Sequence, residues 1–316
     1  MTTFVLQKAA IALARLVSRL PLGVLYALST LACPVVRHVA GYRRGVVRRN
    51  IDSALPELTR RERRRVERRF YAWFCDYAVE TLRLCSMSEA EMRRRLTVEG
   101  LEAVEAALRI RPFVFIYLGH YCNWEWISSL PLHTGARCAQ LYKPLRGKLF
   151  DDFFQELRTR FGSENIAKSD ALRRIVALRR EGRPVLVGFI SDQSPKSEST
   201  HLWVDFLHHD TAAFTGTERI GRKVGAAVFF ADVSRPARGR YHLRFVPMAA
   251  DASAVPEHEL TRDYMARLEK MIRREPHLWL WSHNRWKHQR PAGAARTAAE
   301  TTRTEHEKIR TAAEKS

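Results

Sequence analysis

The stretch PFVFIYLGH, residues 112–120, is a short run of β-forming residues between Pro112 and Gly119. A run this short and this continuously apolar predicts a strand buried within a sheet. The following NWEWISSLPLH, residues 123–133, predicts a helix, and from there the two patterns alternate. Strands are expected at RCAQLY (137–142), PVLVGFI (184–190), AAVFFADV (226–233) and YHLRFV (241–246). Helices are expected between them at 149–161, 170–180, 217–224 and 259–275. Alternation of this kind specifies an α/β fold, a mainly parallel central sheet flanked by helices. Ligands in such folds gather beyond the carboxyl ends of the strands.

Working outward toward the N-terminus, residues 58–83 predict a helix, with Val66, Phe70, Phe74 and Tyr77 forming one inward stripe. Seven arginines between Arg60 and Arg69 cover the rest of its first half, more than solubility requires. This face is expected to be an electrostatic docking surface. Ser88 is the expected N-cap of a further helix over 88–96. Residues Leu20 to Val36 form a 17-residue stretch without charge, flanked by Arg19 and Arg37. That is the lower limit for spanning a bilayer, and Pro21 and Pro34 shorten the usable helix. The preceding apolar segment carries Lys8, Arg15 and Arg19, as an interfacial helix would. Residues 1–40 are therefore expected to anchor the chain in a membrane, by a short span or a helix lying in the interface. A buried helical hairpin is the alternative. Arg37, Arg43, Arg44, Arg48 and Arg49 follow at once and place this side in the cytoplasm. Residues 41–288 are expected to form the main domain, and 289–316, poor in apolar residues, a disordered tail.

The 316-residue chain has 54 Lys+Arg against 34 Asp+Glu, a formal net charge of +20. The excess implies an anionic partner: nucleic acid, an acidic protein or a membrane surface. Five cysteines without metal-ligand spacing read as reduced thiols facing a cytosol. His201, His208, His209 and Asp210 match no standard ligand set, so no metal is expected.

The strongest chemical signal lies at the end of the first predicted strand, where His120 is followed five residues later by Glu125. In a continuous helix that spacing separates the two by about 140°. With His120 in the turn before the helix, Glu125 reaches back to it. A carboxylate on one imidazole nitrogen fixes the tautomer and leaves the other nitrogen as a general base. Cys122 is adjacent but reads as a buried structural thiol. With no covalent nucleophile evident, direct transfer between two bound substrates is the better fit.

Gly119-His120 to Glu125 resembles the His-x4-acid motif of membrane glycerolipid and lipid A acyltransferases, and the Glu matches the late (secondary) lipid A branch. Tyr142-Lys143-Pro144-Leu145 is similar to that family's Tyr-Arg-Pro turn, with Lys in place of the usual Arg. Arg158 falls where the family has a functional arginine, and Ile190-Ser191-Asp192-Gln193 resembles its strand-end Asp-Gln segment. Phe214-Thr215-Gly216-Thr217 and the block Trp279 to Lys287 also fit, so the resemblance spans roughly residues 20 to 287.

The resemblance implies a glycerolipid acyltransferase-like fold and an inner-membrane enzyme with its catalytic domain toward the cytoplasm. It moves a lauroyl- or myristoyl-type chain from acyl carrier protein to a hydroxyl of a phosphorylated lipid A precursor, with acyl-acyl carrier protein as co-substrate and no cofactor. By that resemblance His120 is the base and Glu125 orients it. Backbone N–H groups at the start of the Asn123 helix bind the oxyanion. Arg158 neutralises charge or holds a phosphate, and Asp192 holds sugar hydroxyls or pairs with a basic partner. Tyr142, Lys143, Lys168 and Gln193 complete the expected substrate-binding set, whereas Trp279, Trp281 and Trp286 are expected to pack. Acceptors of another kind, a lyso-aminolipid or a mannosylated phospholipid, fit the same chemistry. A nucleic-acid-binding protein is the remote alternative, and it leaves the His120–Glu125 pair and the apolar N-terminus without a role. Anionic membrane lipids, acyl carrier protein and a phosphorylated glycolipid are therefore the expected partners, without nucleic acid.

Overall fold

A computed structural model describes residues 2–145, 147–196 and 200–290, with the side chains of 2–4 left out of the description. The expected tail lies almost wholly outside the described residues. Five helices come first: α1 (Thr2–Ser18), α2 (Leu22–Pro34, continued by a π turn over Val35–Val39), α3 (Arg44–Ala54), α4 (Arg60–Arg83) and α5 (Glu89–Arg95). Thr59 and Glu62 cap α4 reciprocally, and Ser88 caps α5 by accepting from the Glu91 N–H.

The sheet then unfolds as β1 (Leu96–Glu99), α6 (Leu101–Ile110), β2 (Phe113–Leu118), a 3₁₀ helix over Trp126–Leu132, β3 (Arg137–Tyr142), α7 (Lys148–Thr159), β4 (Glu164–Ala167), α8 (Ala171–Arg180) and β5 (Val185–Ile190). A hairpin of β6 (Trp203–Phe206) and β7 (His209–Ala212) follows, then α9 (Gly216–Val224), β8 (Ala227–Ala237), β9 (Arg240–Ala249) and α10 (Glu259–Arg274). The seven-stranded order is β1-β9-β8-β2-β5-β3-β4, parallel throughout except for the β8–β9 hairpin. The expected α/β class holds. All six residues of β2 are buried, as its unbroken apolar run requires.

Two features depart from the sequence reading. The segment after His120 forms a seven-residue 3₁₀ helix rather than an α-helix from Asn123, and Pro131 lies within it. The hairpin β6–β7 and the short strands β1 and β4 are not among the elements expected from the sequence.

At the N-terminus, α2 packs along α4. Tyr26 donates to buried Glu80 at 2.9 Å and Ser29 to buried Asp76 at 2.8 Å, while Arg238 reaches Asp76, Thr30 and the Tyr26 carbonyl. The opposite face exposes Val24, Leu28, Leu31, Val35 and Val39 in one stripe. The segment Leu22–Val39 is long and apolar enough to cross a membrane, and only 17% of it is buried.

Candidate active site

The chain leaves β2 at Leu118 and returns in β5, inserted between β2 and β3. The parallel register sets Leu118 opposite Ile190. Two residues beyond each strand stand His120 and Asp192, so the sheet itself delivers them side by side. This is a switch point, with β5 on one flank of β2 and β8 on the other. Gly119 permits the close approach: a Cβ there would lie 2.7 Å from Leu268 Cδ1 and 3.6 Å from Asp192 Oδ2.

The Asp192 carboxylate is fully engaged. Oδ1 lies 2.5 Å from His120 Nδ1, while Oδ2 accepts from the His120 backbone N–H at 2.8 Å and from Trp279 Nε1 at 2.9 Å. Burial alone would raise its pKa, but the His120 charge and these three donors hold it at about 2. An ionised carboxylate only accepts, so the proton facing it sits on His120 Nδ1. In the neutral imidazole Nε2 carries the lone pair, 3.2 Å from Gln193 Nε2. Trp124 presses edge-on against the imidazole at 5.0 Å between ring centroids and stacks on Tyr77 at 4.2 Å.

Glu125 does not reach His120, contrary to expectation. Its two oxygens are taken by Arg158, at 2.8 Å from Nε and 2.7 Å from a terminal nitrogen, a bidentate pair with Glu125 nearly buried. Asp192 pairs with a basic partner, one of the two expected roles, and that partner is His120. Asn123 is likewise placed differently. It is buried, its amide donates to Glu80 at 2.9 Å, and its Oδ1 caps the Trp126 N–H at 3.3 Å. The Trp126 N–H is thus already used, and a 3₁₀ segment this short offers no α-helical dipole to an oxyanion.

His120, Glu125, Arg158, Tyr142, Lys143, Lys168 and Gln193 all line one cavity of about 660 Å³. Its inner wall is apolar, built from residues such as Ile116, Leu130, Leu186 and Ile220. Cys138 also lines it, with its thiol pushed up by burial to about 12, and Ser191 is occupied by Thr217 at 2.9 Å. No activated nucleophile therefore faces His120 among the described residues. Those residues also contain no cluster of His, Cys, Asp and Glu able to hold a metal.

The C-terminal block does more than pack. Tyr121 bridges Trp279 in antiparallel fashion, and the Leu280 N–H donates to the His120 carbonyl at 3.1 Å. This carries Trp279 onto Asp192. Arg285, 2% exposed, donates to the Ala212 carbonyl at 2.8 Å and to Ser194 Oγ at 3.3 Å, fixing the turn that holds Gln193. Both residues lie in the block that carried the family resemblance, which was their only signal in sequence.

Fold and site together define an α/β enzyme whose cavity opens at the switch point of a parallel sheet. The family model of bacterial lipid A biosynthesis acyltransferases matches residues 1–288. The chain is 24% identical over 275 residues to a lipid A biosynthesis palmitoleoyltransferase of Escherichia coli K12, covering 87% of this chain and 88% of that protein. It is 25% identical over 281 residues to the lipid A biosynthesis lauroyltransferase of the same organism, covering 88% and 90%. A lipid A biosynthesis acyltransferase of Haemophilus influenzae is 22% identical over 250 residues, covering 78% and 76%. The chain belongs to the bacterial lipid A biosynthesis acyltransferase family and is an acyltransferase.

Proposed function

We propose that this enzyme transfers a fatty acyl chain from acyl carrier protein to a hydroxyl of a phosphorylated lipid A precursor at the cytoplasmic face of the inner membrane. The observation that carries the reading is the His120–Asp192 pair opening on a largely apolar cavity with no activated nucleophile among the described residues. His120 Nε2 removes the acceptor's hydroxyl proton as the oxygen attacks the thioester carbonyl. The C–O bond forms, the C–S bond breaks, and the imidazolium returns the proton to the departing thiolate. Asp192 holds the tautomer and stabilises the imidazolium. Arg158, steered by Glu125, offers its remaining N–H groups to the developing oxyanion. The acyl chain occupies the apolar interior.

The relatives act in lipid A biosynthesis by name, which supports that acceptor. Arg60, Arg61, Arg65, Arg68 and Arg69 lie exposed along α4 and suit an acidic donor protein. The mid-helix clamps of Tyr26 and Ser29 to α4 support an interfacial α2, because a bilayer surrounding the helix would have to displace them. Purified enzyme in detergent, given labelled acyl-acyl carrier protein and a tetra-acylated precursor, is expected to yield a penta-acylated product by mass spectrometry. A His120→Ala enzyme that turns over at the wild-type rate refutes the mechanism. A wild type that acylates only other lipids refutes the acceptor.

A further inference from the structure

Strand register places a second pair of residues as it places His120 and Asp192. In the parallel pairing of β3 with β4, Tyr142 lies opposite Ala167. The next residue on each strand is a lysine, Lys143 and Lys168, and both line the mouth of the cavity. Lys196 enters from the loop after β5, the other neighbour of β3. Two adjacent parallel strands thus end in neighbouring lysines, with Lys196 on the loop that follows the third. Among the described residues none of the three is in an ion pair, unlike Arg158, Arg174 and Arg235. The Lys168 ammonium rests 3.4 Å from the centroid of the Phe214 ring instead. Its pKa is lowered, by burial and then by the charges of Lys143 and Lys196, so both of these ammonium groups act on Lys168. Like charges gathered here with no ion-pair partner among the described residues form a site that an anion completes.

We propose that Lys143, Lys168 and Lys196 form a phosphate-binding subsite at the cavity mouth, which rests on the acyl-transfer reading above. Compact ammonium groups on flexible stems suit a phosphate as point charges, where a bidentate guanidinium would suit a carboxylate equally well. Two substrates could bring that phosphate: a phosphomonoester on the glycolipid acceptor, or the phosphodiester in the pantetheine arm of the donor.

The test uses the full-length enzyme in detergent and the variant K143Q/K168Q/K196Q, with K168R as a control that keeps the charge. Inorganic pyrophosphate is expected to protect Lys143 and Lys168 of the wild type from acetic anhydride, read by mass spectrometry. This readout needs no turnover, so it stands even if the acyl-transfer reading fails. In kinetics the triple variant is expected to raise one KM about 100-fold while kcat changes little. If the acceptor supplies the phosphate, its KM rises, and phosphatase treatment of the acceptor costs the wild type the same factor and the variant nothing. If the donor supplies it, the donor KM rises, and an acyl-N-acetylcysteamine thioester, which lacks the phosphodiester, erases the difference between the enzymes. Absence of protection by pyrophosphate overturns the subsite. So does a triple variant, melting as the wild type does, with both KM values unchanged.

Discussion

His120 Nδ1 and Asp192 Oδ1 lie 2.5 Å apart although 72 residues separate them in the chain. Each sits two positions past the end of a strand, and the register Leu118↔Ile190 makes them neighbours. A hydrogen bond set by the sheet is as rigid as the sheet, which is what a base of fixed tautomer needs.

Asp192→Asn should therefore impair the reaction more than any change at Glu125 impairs the state of His120. The amide cannot accept from Nδ1–H, the Trp279 indole and the His120 amide together as a charge. We expect kcat to fall by ~10²–10⁴-fold with near-native folding. Steady-state kinetics on the purified variant decide it, and a loss below threefold contradicts the assignment.

Glu125 and Arg158 should behave as one unit. Removing either leaves a charge without its partner at a largely buried site, a loss of about 3–5 kcal/mol. The double variant Glu125→Gln, Arg158→Met should recover much of the melting temperature and none of the activity. If Glu125→Gln alone melts like the wild type, the pair is not structural.

Acid should unfold the protein in two stages. Burial holds His277 at about 3 and His283 at about 4, and His283 Nε2 accepts the Ser194 N–H, which a protonated ring could not do. Folded-state values below the unfolded 6.5 mean that the unfolded chain binds protons first. Stability present above pH 6.5 is lost as pH falls toward about 4. The Asp192 contribution, present above its ordinary 3.8, is lost only as pH falls toward about 2. Urea midpoints measured from pH 7 to 4 should decline, and His277→Gln with His283→Gln should flatten that slope. An unchanged slope counts against the neutral histidines.

The exposed stripe of α2 should govern membrane attachment. Leu28→Glu with Leu31→Glu touches neither Tyr26 nor Ser29, so the clamp to α4 survives. Each of these exposed leucines, once inserted in lipid, contributes about 1.5–3 kcal/mol of apolar transfer that a charge removes. Sedimentation with anionic vesicles should fall at least tenfold while turnover of a detergent-dispersed acceptor persists. Undiminished sedimentation would place the attachment elsewhere.

Legibility in the sequence followed the length and continuity of each signal. The run 113–118 is readable as a strand because an unbroken apolar set rich in β-formers between breakers has few other solutions. The four-residue β1 and β4 carry too little pattern to stand out. The β6–β7 turn hid for another reason: Leu207 and His208 adopt φ of 52° and 64° where Asn-Gly is usual. Part of that conformation is held by Glu269, which accepts the Leu207 N–H at 2.9 Å, a partner far along the chain. His120, Glu125, Arg158 and Asp192 stand out in the sequence, yet its spacing points to a carboxylate for His120 five positions away instead of across the sheet.

The amino-acid sequence by itself determined the alternation of strands and helices, the α/β class, the family, and the chemical groups on hand: an imidazole, two carboxylates, an arginine and a set of lysines. Which groups meet was decided by tertiary structure alone. Spacing along a chain constrains contacts only within one helix or turn, whereas strand order and register bring together residues at any separation. That is why Asp192 faces His120, Glu125 holds Arg158, and Lys143 stands beside Lys168.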